Sequence, residues 1–245
     1  MNTYFKTLGG KLLYRSDLAA IKQNLSYRWL VFQDDSCIQT LVNRRRHQNT
    51  AMAYLEPFTL AIRHQPGSTC LLGLGGGAVL HSTAPYLQPH PITAVESSAE
   101  VIALGHKFFW LDEIKTLKIV AQEAHLFMAN SQIHFDHILI DLYFDNGFPK
   151  TCSKPEFFDH CKQRLTTHGF LALNLVGIQQ HFTVLQHLKA VFNQATICIP
   201  VPTTANLIVL ASHCKSSLME MIALQPRLKK MIWDPQYGCM AQFQY

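Results

Sequence analysis

The stretch Thr69-Cys70-Leu71-Leu72-Gly73-Leu74-Gly75-Gly76-Gly77-Ala78-Val79-Leu80 decides the fold. A short apolar strand runs into a glycine-rich turn, and the turn runs into a helical pattern. About twenty residues later, Ile92-Thr93-Ala94-Val95-Glu96 reads as a second strand that ends in a carboxylate. Residues without side chains let the backbone approach a ligand closely, and an acid closing the second strand can hold two ribose hydroxyls. The pattern predicts a nucleoside-binding α/β domain. The glycines alone leave NAD open, because Ala78 stands where the dinucleotide fingerprint tolerates alanine.

Outward from this stretch, strands and helices alternate. Strands are expected at Thr69–Leu72, Ile92–Val95, Leu117–Val120, Asp136–Ile140 and Gly169–Leu175. Helices are expected at Gly77–Leu87, Ala99–Phe109, Glu123–Ala129, Lys154–Leu165 and Gln179–Phe192. Such alternation means a mainly parallel sheet with helices on both faces. Ala195–Val201 and Asn206–Ala211 suit an antiparallel pair at a sheet edge, and a last helix is expected over Ser216–Lys229. Before this region, Leu12–Leu13, Tyr27–Phe32 and Cys37–Val42 read as small antiparallel strands around the turn Gln33-Asp34-Asp35-Ser36. Apolar residues recur at helical spacing from Thr50 to Ile62, with Pro57 distorting or breaking that helix. We therefore expect a small N-terminal β-strand domain over 1–48 and a Rossmann-like nucleoside-binding domain over 49–245.

Composition sets limits on function. The chain has 245 residues, 48% of them hydrophobic and 15% charged, enough for one large core. No apolar run approaches the roughly 18–20 residues of a membrane span, and Met1–Tyr14 lacks a leader's apolar core. The seven cysteines are scattered, with no Cys-x-x-Cys pair, which fits reduced thiols in a cytoplasmic protein. The net charge of +5 is dispersed apart from Arg44-Arg45-Arg46-His47, which reads as a solvated loop rather than a nucleic-acid face. His134-x-x-His137 offers poor metal geometry, because strand residues three apart face opposite ways. No metal site is expected.

Three acids fall at or just after strand ends, where ligands of such sheets lie. Glu96 closes the second strand and should chelate the ribose. Glu123 follows the third strand and reaches toward the adenine. Asp141 closes the fourth strand and faces the reaction space. Each also has a plainer reading as a helix-start or turn residue. Together on one rim they favour an S-adenosylmethionine-type ligand. Asn174, at the end of the fifth strand, reads as structural.

Leu71–Leu80, Ala94-Val95-Glu96, Glu123-Ala124 and His134–Asp141 together resemble the spermidine synthase (polyamine aminopropyltransferase) family. The resemblance spans roughly residues 25–212. It implies transfer of an aminopropyl group from decarboxylated S-adenosylmethionine to an amine, with release of methylthioadenosine. It implies that Gln48, Gly73, Gly75, Gly76, Gly77, Glu96, Ser97, Glu123 and Ala124 hold the nucleoside. Asp141 would be the base or amine anchor, with Tyr143 and Asp145 forming a rebuilt acceptor pocket. The nucleoside is a substrate, so no tightly bound cofactor is expected, and the family makes a homodimer an expectation.

The departures lie in the acceptor half. The family's turn carries an aspartate where Gly76 stands here. The second acid after strand four, Asp145, is one residue late. The late Pro-x-Tyr segment reads Pro202-Thr203-Thr204, and the helix that supplies a Tyr-Gln-Glu cluster reads Asn49-Thr50-Ala51-Met52. Two other readings stay open: an S-adenosylmethionine-dependent methyltransferase, and a non-catalytic nucleoside-binding or interaction protein.

Overall fold

In the computed structural model, which describes residues 9–32, 38–49, 51–143 and 147–243, alternating residues near the start build a four-stranded antiparallel meander. Its strands are β1 (Lys11–Arg15), β2 (Ala19–Gln23), β3 (Tyr27–Phe32) and β4 (Ile38–Asn43). β2 escapes a pattern reading because Ala-Ala-Ile-Lys-Gln is short and weakly strand-forming; burial of Ala19, Ala20 and Ile21 makes it a strand. The Asn24 side chain closes the β2–β3 turn by accepting from the N–H groups of Ser26 (2.9 Å) and Tyr27 (2.8 Å). The turn expected at Gln33–Ser36 lies outside the described residues.

The helix expected over Thr50–Ile62 is two short ones, α1 (Leu55–Phe58) and α2 (Leu60–His64). They part at Thr59, whose φ of −99° departs from helical geometry and whose hydroxyl donates to the Leu55 carbonyl at 2.7 Å. Pro57 sits in the first turn of α1, where its missing N–H costs nothing.

The second sheet has nine strands. In chain order they are β5 (Thr69–Leu72), β6 (Ile92–Glu96), β7 (Leu117–Ala121), β8 (Phe135–Ile140), β9 (Leu165–Val176), β10 (Thr196–Pro200), β11 (Asn206–Ser212), β12 (Leu228–Asp234) and β13 (Gly238–Phe243). Their spatial order is β12-β13-β10-β11-β9-β8-β5-β6-β7. β5 to β9 run parallel, and β11 lies antiparallel to both β9 and β10. All four residues of β5 are buried, and alternate ones feed different cores: Leu71 joins one cluster, Cys70 and Leu72 the other. The sheet is thus covered on both faces, by α3 (Ala78–Leu87), α4 (Ala99–Phe108), α5 (Ala124–Asn130), α6 (Pro155–Arg164), α7 (Ile178–Val191) and α8 (Lys215–Ala223). The first core cluster also contains Ile21, Leu30 and Val42, so the small sheet shares it.

Two expectations near the C-terminus are corrected. The last helix stops at Ala223, not Lys229, because Pro226 follows and the chain from Leu228 pairs as β12. Asp234 makes the β12–β13 turn, its Oδ1 accepting from the N–H groups of Gln236 and Tyr237 (both 2.8 Å). The β10–β11 pair is also not the edge, since β13 adds parallel to β10 and leaves β12 outermost.

β6 and β7 lie to one side of β5, and β8 and β9 to the other. The order reverses between β5 and β8, and the carboxyl ends of these strands open there into a crevice.

Candidate nucleoside-binding cleft

The crevice is a cleft of about 290 Å³, near the low end of small-molecule sites (roughly 300–1,000 Å³). It brings together Gly73, Gly75, Glu96 and Ser97 from the ends of β5 and β6, Glu123 and Ala124 after β7, and Asp141 and Tyr143 after β8. Asp145 lies outside the described residues. Gln48 is exposed and does not line the cleft; Gln39, on β4, does.

Glu96 is fixed at the glycine turn. One carboxylate oxygen accepts from the Leu74 N–H (3.1 Å) and the other from the Ser98 N–H (2.9 Å). A carboxylate accepts about four hydrogen bonds, so half of its capacity remains for a ligand diol. Ser98 then caps α4 by accepting from the Val101 N–H at 3.2 Å.

Gly73 holds β5 and β8 together at the cleft floor. Its φ is +92°, and a Cβ there would strike the Asp141 carbonyl oxygen. Asp141 in turn donates its N–H to Leu72 O at 2.9 Å. Gly76 and Gly77 stand behind the lining. A Cβ at Gly76 would meet Thr40 Cγ2 at 2.7 Å, and the Gly76 N–H donates to Thr40 Oγ1 at 2.8 Å. The space beside this glycine is therefore filled by Thr40 of β4.

Asp141 carries a hydrogen-bond network. Its Oδ2 accepts from the Tyr54 hydroxyl (2.8 Å) and its Oδ1 from Asn174 Nδ2 (2.8 Å). Asn174 Oδ1 accepts from Asn206 Nδ2 at 2.8 Å. Asp141 shows a partly exposed face to the cleft but sits deep, and burial raises its carboxyl above the usual range while the bonds from Asn174 and Tyr54 pull it back. Burial, then the neighbouring Asp141 charge, holds the Tyr54 phenol well above its ordinary value, so it stays a donor. Tyr54, Asn206 and Thr40 are among the cleft residues that sequence reasoning missed, and Asn174, read as structural, joins the Asp141 network. A tyrosine two positions beyond Met52 was the available signal for the first.

Other features fall elsewhere. His137 is buried with Nε2 2.6 Å from Gln65 O, and burial lowers it to about 4. Arg44 donates to the carbonyls of Asn24 (2.8 Å) and Leu25 (3.4 Å), tying the basic loop to the β2–β3 turn. Among the described residues, no group of three or more His, Cys, Asp or Glu is placed to hold a metal. No helix among them is long and apolar enough to cross a membrane.

Sheet order, glycine turn and strand-end acids define a protein of the S-adenosylmethionine-methyltransferase-like fold, with a small antiparallel sheet in front. The chain belongs to the spermine/spermidine synthase domain family, whose model matches residues 58–223. It is 27% identical over 162 residues to a polyamine aminopropyltransferase of Chromobacterium violaceum, covering 65% of this chain and 62% of that protein. The match thus spans about three fifths of that relative. In fold it is similar to a probable spermidine synthase from Corynebacterium glutamicum, with TM-score 0.71, 15% identity, and coverage of 89% of this chain and 87% of that one. It is also similar to a spermidine synthase in complex with the transition state analogue AdoDATO (TM-score 0.67, 16% identity, 90% and 81% covered). Human methyltransferase-like protein 13 in complex with SAH shares the fold as well (TM-score 0.61, 20% identity, 76% and 97% covered).

Proposed function

We propose that this protein is an aminopropyltransferase that uses decarboxylated S-adenosylmethionine as donor, an amine as acceptor, and releases methylthioadenosine. One observation carries the reading: a deep-set carboxylate, Asp141, open to the cleft it shares with the ribose-type acid Glu96, is held by Tyr54 and Asn174. Glu96 binds the sugar diol, and Glu123 with Ala124 lies at the base. An ammonium has no lone pair with which to attack, so the acceptor must first give up a proton. Asp141 takes it. The amine nitrogen then bonds to the aminopropyl carbon, the carbon–sulfur bond breaks, and the sulfonium leaves as a neutral thioether. Alignment and electrostatics do the rest. Gln48, Gly76, Gly77 and Asp145 keep their expected roles only within this proposal, as does a homodimer.

The test is to incubate the purified protein with decarboxylated S-adenosylmethionine and amines and to measure methylthioadenosine by chromatography. No release with any amine sinks the reading. A second reading, methyl transfer from S-adenosylmethionine, is favoured by Gly76, because a turn without an acid at this position does not repel that donor's carboxylate. Preferential stabilisation by S-adenosylmethionine over its decarboxylated form selects it.

A further inference from the structure

Among the described residues, β12 is the outermost strand at its end of the large sheet, and it carries an indole in the open. Trp233 is 71% exposed. From Lys230 to Asp234 the pairing of β12 with β13 runs without a shift, so side chains alternate regularly between the two faces. Lys230, Ile232 and Asp234 share one face, and Met231 and Trp233 share the other. The packing agrees: Met231, and Cys239 opposite Trp233, rest on the first core cluster, while Met240 opposite Ile232 rests on the second. The family model matches residues 58–223, so this hairpin lies beyond the matched span.

An outer strand shows a row of backbone N–H and C=O groups that a further strand can bond. A lysine alone on such an edge repels a second copy of itself. Here Asp234 answers Lys230 on the same face. Its Oδ1 accepts from the N–H groups of Gln236 and Tyr237, which fixes the carboxylate at the strand end and leaves its charge in place. Two copies meeting edge to edge about a two-fold axis normal to the sheet run antiparallel, and each face stays on its own side. Facing residues must then share a face, so the axis passes beside a single residue. Only Ile232 at that centre sets Lys230 of each copy opposite Asp234 of the other. The same centre sets Trp233 opposite Met231, an aromatic against a thioether, at both ends.

The geometry points to β12 as a docking edge for a second copy of this chain, paired antiparallel about Ile232. Two charge pairs and two Trp–Met pairs close the contact, and one sheet runs through both copies. The Lys230–Asp234 edge is short, which places the interface in the weak class below about 1,200 Å². The dimer should therefore form and part with concentration. It stands apart from both readings of the cleft, since no residue of β12 lines that site.

The experiment is analytical ultracentrifugation of the full chain between about 1 μM and about 1 mM. We expect the mass to rise from one chain to two across that range. Lys230→Glu sets like charges opposite each other at both ends and should weaken the dimer by about tenfold or more, with Tm of the monomer unchanged. A single-chain mass throughout, or a dimer of unchanged strength in Lys230→Glu, overturns the assignment. Cross-linking reads the register. In Ile232→Cys the two new thiols face each other across the axis with Cα atoms about 4.5–5.5 Å apart, within disulfide range. A mild oxidant should join two chains through residue 232, as mapped by peptide mass. Met231→Cys, which faces Trp233, should not join to itself. A 231–231 link, or no 232–232 link at concentrations where the dimer forms, overturns the proposal.

Discussion

The Tyr54 hydroxyl donates to Asp141 Oδ2 at 2.8 Å across 87 residues of chain. This bond ties the loop before α1 to the end of β8, and it makes Asp141 the focus of the site. Asn174 holds the other oxygen, so the carboxylate is fixed from two elements at once.

Asp141→Asn keeps the shape and an acceptor oxygen but removes the base. We expect methylthioadenosine release to fall by at least about 100-fold, with nucleoside binding retained in a thermal-shift titration. Full turnover in this variant removes Asp141 from its role.

Tyr54→Phe removes a donor that favours the ionised carboxylate. Burial already raises Asp141, and the proposed mechanism needs its anion, so kcat/KM should fall as pH drops through that raised pKa. Loss of the Tyr54 bond raises it further. The acid limb of the kcat/KM profile should therefore move to higher pH, and a profile that stays in place argues that Tyr54 only packs.

Glu96→Gln removes the charge and one acceptor oxygen. At about 100 times its dissociation constant, methylthioadenosine should stabilise the parent protein by about 2.7 kcal/mol. The variant should show little of this under the same conditions. Equal stabilisation of both proteins would exclude Glu96 as the ribose ligand.

Asp136 tests stability away from the cleft. Its Oδ2 accepts from the Ser68 N–H (2.9 Å) and hydroxyl (2.8 Å), and its Oδ1 from Thr166 (2.9 Å). Burial alone would raise its carboxyl, but these bonds outweigh burial and hold it below the usual value. A depressed folded pKa stabilises above the unfolded value, about 3.9, and that stability is lost as pH falls through the folded one. Asp136→Asn should cost about 1–3 kcal/mol at neutral pH, with the gap narrowing in acid. Denaturant melts at both pH values check this.

The central strands, the glycine turn and the three strand-end acids were legible because each is a local pattern. A strand that must be apolar on both faces, then a turn without side chains, can be read from neighbours alone. Tyr54, Asn174 and Asn206 come together only through strand order and register, which no local window contains. The C-terminal hairpin was hidden because the helical spacing of Leu218, Met221 and Ile222 invites continuation, although Pro226 was there to stop it. Gln48 is the converse case: it matches a motif position in sequence, yet the glutamines lining the cleft among the described residues are Gln39 and Gln122.

Thr40 belongs to the small sheet, yet its hydroxyl satisfies the buried Gly76 N–H in the glycine turn, and Ile21, Leu30 and Val42 share one core cluster with residues of the large sheet and its helices. A fragment beginning at Asn49 would thus lose the lid of its interior and strand a donor at its most important bend. We expect the two halves to depend on each other, so that expressing them from separate plasmids yields insoluble material instead of two working modules.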